Sequence, residues 1–218
     1  MPQSTSDVAA KSPTLYIMRG ACSLASHIAL IWAGSPYTIA QLTHDEVGGE
    51  HFLRINPQGA VPALVLADGT VITQSLAVLQ YIADTNPRAQ LGAGPDNPLD
   101  RAKLNEMLAD LVSDVHKAWG PVFAPQRYTT RVGNHDDAKQ AAFANLDKQY
   151  KRMDALMSAR EWLVFNRRTV ADAYLYVMCS WMDKTPQPLA DYPALTAFKS
   201  RLDQDPSVKR ALSEEGLA

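Results

Sequence analysis

The strongest constraint on this chain is the place where its strand-like segments stop. Up to Thr85, short apolar segments switch between period-two and helical spacing. From Arg88 to Pro98 the chain is rich in Gly and Pro and has no period, and beyond it every apolar repeat falls at spacings of three and four. This change of pattern predicts an α/β unit over residues 13–88, a linker over 89–98 and an all-helical unit over 99–218.

Within the first unit, Thr14 to Met18 reads as a strand and Leu24 to Ala33 as a helix. Gly34-Ser35-Pro36 is a turn, and Tyr37 to Leu42 alternates as a half-buried strand does. Thr43 to Glu50 reads as a mobile loop and His51 to Ile55 as a helical turn. Ala63 to Leu66 and Val71-Ile72 flank Asp68-Gly69, a hairpin signal. A helix follows, with Ser75 as its N-cap and Asn86-Pro87 as its stop. The predicted order is β-α-β-α-β-β-α. In the second unit helices are expected over Leu99 to Trp119, His135 to Met157, Val170 to Met182, Tyr192 to Leu202 and Pro206 to Leu212, with Gly120-Pro121 breaking the first.

With 218 residues, 46% hydrophobic and 20% charged, the chain can bury a substantial core. A net charge of -2 with no Lys/Arg cluster argues against nucleic acid as a partner. The two cysteines, Cys22 and Cys179, are too far apart for a disulfide scaffold and lack metal-ligand spacing, so no metal is expected and a reducing, cytoplasmic setting fits best. Residues 1–12 read as a disordered tail without the apolar core of a secretory signal, and no apolar run approaches membrane-spanning length.

Four groups of residues carry potential chemistry. Cys22 lies between the first strand and first helix, where first-turn N–H groups stabilise a thiolate and lower a pKa that starts near ~8.5. Alternatively it is a small residue packed at a turn. Ala25 stands where a dithiol motif would place its resolving cysteine. Val61-Pro62 precedes a hairpin strand. Held cis, it would turn the Val61 backbone groups outward toward a peptide; held trans, it is an ordinary strand-start proline. Gln74-Ser75 at a helix start suits an α-amino-acid headgroup, or is simple capping. Ser113, His116 and Lys117, at i, i+3 and i+4, share one helix face, either toward an anionic ligand or toward solvent. Thr169 and Asp172 form a capping box, whereas Cys179, His27 and Trp32 read as core packing.

Together, Gly20 to Leu24, Asn56 to Pro62 with Ala63-Leu64, His116-Lys117 and Val170 to Tyr174 resemble the glutathione S-transferase family, and its bacterial beta class in particular. That resemblance implies a thioredoxin-like first domain, an all-helical second domain, and a homodimer with glutathione as co-substrate. It implies that Pro62 is cis, that Val61 pairs with the cysteinyl unit, and that Gln74 and Ser75 hold the γ-glutamyl end. Cys22 then faces the glutathione sulfur, and His116 and Lys117, with Ser113 beside them, close the site. Tyr16 and Ser23 are nearby hydroxyls of the kind other classes use, ranked below Cys22. Two positions depart from the class pattern, Val47 in place of a lysine and Ala109 in place of an asparagine; Gln74 replaces a common Glu, but other transferase classes use Gln-Ser. A missing cation near the glycine carboxylate costs about 1–3 kcal/mol, roughly tenfold to a hundredfold in affinity.

The resemblance leads first to transfer of the glutathione thiolate to a hydrophobic electrophile, with His116 supplying a hydrogen bond. A second reading is a monothiol glutathione-disulfide oxidoreductase working through Cys22, and a third is a non-catalytic ligand-binding member of the fold.

Overall fold

The structure, a computed structural model, describes residues 12–218. The expected tail therefore lies, apart from Ser12, outside the described residues. Four short strands form one mixed sheet in the order β2-β1-β3-β4: β1 (Thr14–Ile17), β2 (Thr38–Gln41), β3 (Ala63–Val65) and β4 (Val71–Thr73). β1 and β2 run parallel with Thr14 opposite Thr38, so the chain between them must cross over, which it does as helix α1 (Ser23–Ala33). β3 is antiparallel to both β1 and β4, with Tyr16 and Thr73 opposite Ala63.

The segment expected as a loop after β2 holds a short helix, α2 (His44–Val47), and the helical turn expected over His51 to Ile55 is α3 (Glu50–Leu53). Thr43 and Glu46 form a capping box: the Thr43 hydroxyl accepts from the Glu46 N–H at 3.3 Å, and the Glu46 carboxylate accepts from the Thr43 N–H at 2.7 Å. Thr-x-x-Glu was visible in the sequence. The flanking Gly48-Gly49 pair masked it.

After β4, helix α4 (Ser75–Thr85) packs against α1. The helical half comprises α5 (Pro98–Asp110), α6 (Gly120–Phe123), α7 (His135–Met157), α8 (Val170–Ser180), α9 (Pro193–Leu202) and α10 (Pro206–Glu214). The single helix expected over Leu99 to Trp119 changes character midway: Leu111–His116 is a π-helical turn, which rotates every side chain after it relative to an α-helical register.

α8 is apolar on all sides because it touches α1, α4, α5 and α9 at once, and Val170 through Cys179 are all buried. Each Leu, Val or Met there contributes about 1.5–3 kcal/mol of burial. Cys179 is core, as expected. The α8 capping box also forms: Asp172 accepts from the Thr169 N–H at 2.8 Å and from the Leu163 N–H at 2.9 Å. α1 therefore touches the sheet below and α8 and α10 above, and its N-terminus sits where the two halves meet.

His27 on α1 is fully buried, yet it is more than packing. Its Nδ1 lies 3.1 Å from Glu215 and its Nε2 2.9 Å from Glu214, and the second Glu215 oxygen accepts from the Gly20 N–H at 3.0 Å. The end of the chain thereby holds the loop that leads into α1. Trp32 is likewise buried, with its indole N–H directed at Asp205.

Candidate active site

β1 ends at Ile17, and Ala21 donates to the Met18 carbonyl at 2.9 Å to form a tight turn. The Ser23 hydroxyl accepts from the Met18 N–H at 3.2 Å and lies 3.4 Å from the Met18 carbonyl. Ser23 is thus buried and pins the turn, with its hydroxyl bonded internally. Tyr16 points to the other sheet face from Leu15 and Ile17, its ring 5.5 Å from Phe52.

Cys22 occupies the N-cap position with helical φ -58° and ψ -21°, and its side chain makes no capping bond. Its thiol donates to the Val61 carbonyl at 3.3 Å. Burial pushes the thiol above its ordinary range, and the Ser75 hydroxyl and the N–H groups of Cys22 and Ser23 only partly oppose this. The expected lowering of the pKa is therefore overturned. A carbonyl facing the sulfur favours the protonated form, and burial outweighs the helix terminus.

The Val61–Pro62 bond is cis. The preceding segment is tied by Asn56, a buried side chain whose amide donates to the Ala60 carbonyl at 2.6 Å and whose oxygen accepts from the Gln58 N–H at 3.2 Å. Gly59 turns the chain at φ +55°, where a Cβ would press on the Val47 carbonyl at 3.2 Å. The Asn-Pro-Gln-Gly spacing has this physical content.

Gln74, not Ser75, is the N-cap of α4, so the capping expectation for Ser75 is corrected. Ser75 is the first helical residue and is buried, with its hydroxyl beside both the Cys22 sulfur and the Tyr174 hydroxyl. Gln74 has φ +72° and ψ +126°, a conformation costing a non-glycine residue about 1–3 kcal/mol. Its exposed amide donates to Gln58 at 2.8 Å.

The π-helical turn separates residues expected on one face. Ser113 donates to Asp114 at 2.5 Å, and with Lys117 it lines a groove against Asn145 and Gln149 of α7. His116 instead turns toward α8: Nδ1 lies 2.6 Å from the Tyr174 hydroxyl, and its ring is 5.2 Å from that of Trp181. Burial depresses the His116 imidazole to about 4 and raises the Tyr174 phenol well above its usual value, so both are neutral at pH 7. Trp181 donates to the Gly20 carbonyl at 2.9 Å.

The structure therefore gathers Cys22, Val61, Ser75 and His116 and adds Tyr174 and Trp181, which the sequence reading had left in an apolar helix. The Tyr174 hydroxyl on the largely apolar α8 and the Trp181 indole N–H just past its end were the available signal. Ser113 parts from His116, Tyr16 and Ser23 are engaged elsewhere, and Lys117 faces both the groove and a cavity walled by His116.

Residues 20–85 match the family model for the glutathione S-transferase N-terminal domain, and residues 113–215 match that for its C-terminal domain. Over 207 residues the chain is 38% identical to glutathione S-transferase GST-4.5 of Xanthomonas campestris pv. campestris, covering 93% of this chain and 98% of that one. The chain belongs to the glutathione S-transferase family. A sphingomonad glutathione S-transferase solved in complex with glutathione is 40% identical, with a TM-score of 0.86 and coverage of 94% of this chain and 100% of that one. The bacterial beta class glutathione S-transferase of Sphingomonas chungbukensis is 36% identical, also with a TM-score of 0.86 and the same coverage. The resemblance drawn from the motifs, and the fold class with it, is borne out. Of this chain's departures from the class pattern, Val47 closes α2 half-buried and Ala109 is exposed on α5. No helix among the described residues is long and apolar enough to cross a membrane.

Proposed function

We propose that the chain is a transferase that joins the glutathione thiolate to hydrophobic electrophiles. The observation that carries this reading is the convergence of the Cys22 thiol, the Val61 carbonyl and the Ser75 hydroxyl on one point, with the Tyr174–His116 pair beside it. In this reading the cis Val61–Pro62 segment receives the cysteinyl unit, since Val61 N–H has no hydrogen-bond partner among the described residues. Gln74 and the first-turn N–H groups of α4 receive the γ-glutamyl carboxylate and ammonium. Lys117 supplies a cation. His116 donates its remaining N–H to the glutathione sulfur, lowering the cost of the thiolate at neutral pH.

The raised Cys22 thiol favours a positioning role over nucleophilic attack, which ranks conjugation above the disulfide-exchange reading. The same proposal places residues 13–88 and 99–218 as its two domains joined by 89–98, a homodimer as the assembly, and the cytoplasm, which suits two free thiols, as the compartment.

Calorimetric titration with glutathione and thioether formation from a chloronitroaromatic test this reading. Binding in the micromolar to low-millimolar range with measurable turnover is expected. No heat at millimolar glutathione would remove every glutathione-dependent reading.

A further inference from the structure

Next to the Tyr174–His116 pair lies a cavity of about 270 Å³ lined by Val112, His116, Lys117, Gly120, Phe123, Ala124, Arg127 and Tyr128. Its size suits one substituted benzene ring, since cavities near ~150 Å³ already admit benzene. Two of its walls are aromatic and otherwise without cover: Phe123 is 46% exposed and Tyr128 52%. Phe123 is held by stacking on Trp119 at 5.4 Å and by an edge contact with Trp181 at 4.9 Å. Gly120 has to be glycine for Tyr128 to stand where it does, because a Cβ would overlap the Tyr128 hydroxyl.

The charge of the lining is one-sided. Lys117 and Arg127 both border the cavity and no carboxylate does, while Lys184 Nζ sits 5.1 Å from the Phe123 ring centroid. Asp114 borders the adjoining groove but not this cavity. His116, neutral, adds a ring and no charge.

We propose that this cavity selects small aromatic electrophiles bearing an anionic substituent, with the ring against Phe123 and Tyr128 and the anion held by Arg127. The inference rests on the transferase reading. In the reaction, a bond forms between the glutathione sulfur and the ring carbon carrying chloride. The carbon–chlorine bond breaks, chloride departs with the bonding electrons, and the thiol proton passes to solvent.

The test compares 4-chloro-3-nitrobenzoate with the neutral 4-chloro-3-nitrobenzamide, by calorimetric binding and by thioether formation. The benzoate is expected to bind about fivefold more tightly, an advantage that shrinks at high salt. Arg127→Gln brings the two compounds near parity and Arg127→Lys restores most of the preference. Parity in the unaltered protein overturns the proposal. So does an Arg127→Gln effect on glutathione affinity larger than that on the benzoate, because the cation would then serve the tripeptide. A retained benzoate preference with no thioether from either compound overturns the transferase reading and leaves the anion-binding cavity standing.

Discussion

The Tyr174 hydroxyl lies 2.6 Å from Nδ1 of His116, with the Ser75 hydroxyl beside it. With both groups neutral, a phenol that donates to Nδ1 leaves the ring proton on Nε2. In that arrangement Tyr174 sets the tautomer that makes His116 a donor.

Tyr174→Phe frees that choice. The variant is expected to lose about tenfold in kcat at pH 7, the equivalent of one hydrogen bond, with a smaller change in KM for glutathione. Nitrogen chemical shifts of His116 in the variant are expected to show both tautomers. An unchanged kcat together with a single Nε2–H tautomer would remove the positioning role from Tyr174.

His116 also predicts a pH dependence. Burial depresses its folded pKa to about 4 from an unfolded value near ~6.5, so the unfolded chain binds the proton more readily. The associated stability is present above about pH 6.5 and is lost as pH falls through about 4. The full shift corresponds to at most ~3 kcal/mol. Thermal unfolding between pH 4 and 7 should show this slope, and His116→Gln should flatten it. A His116 proton resonance titrating near 6.5 would contradict the burial argument.

Most of the fold and part of the site were legible in the sequence because they depend on local rules. Thr169 and Asp172 cap a helix by spacing alone, Asp68-Gly69 makes a hairpin turn, and the helix expected from His135 to Met157 is α7 with those same ends. What was not legible depends on packing between elements. The π-helical turn at Leu111–His116 leaves no signature in a pattern of threes and fours, yet it decides that Ser113 and His116 face different surroundings. Tyr174 and Trp181 gain their roles only because α8 lies across the start of α1. The direction of the Cys22 shift likewise depends on burial, which no local spacing in the sequence reveals.

Cys22 leads to a third prediction. A buried thiol donating to the Val61 carbonyl loses its proton reluctantly, so its alkylation by iodoacetamide should accelerate only above the ordinary cysteine range. Cys22→Ala should retain conjugation within about tenfold while losing any disulfide exchange. An alkylation inflection below pH 7 would return Cys22 to the role of nucleophile.

Gln74 separates stability from binding. Its φ of +72° is open to glycine without steric penalty, so Gln74→Gly relieves the strain and is expected to raise stability by about 0.5–1 kcal/mol after the added chain entropy of glycine is set against it. The same change removes the side-chain amide that meets Gln58 and that the proposed site directs at the γ-glutamyl group, so glutathione should bind about tenfold more weakly. Backbone strain kept at a position where glycine would serve better structurally is best explained by what the side chain does there. Urea unfolding and calorimetry on one preparation measure both quantities. A variant that gains stability and keeps its full affinity would show that Gln74 holds its conformation for a reason other than glutathione.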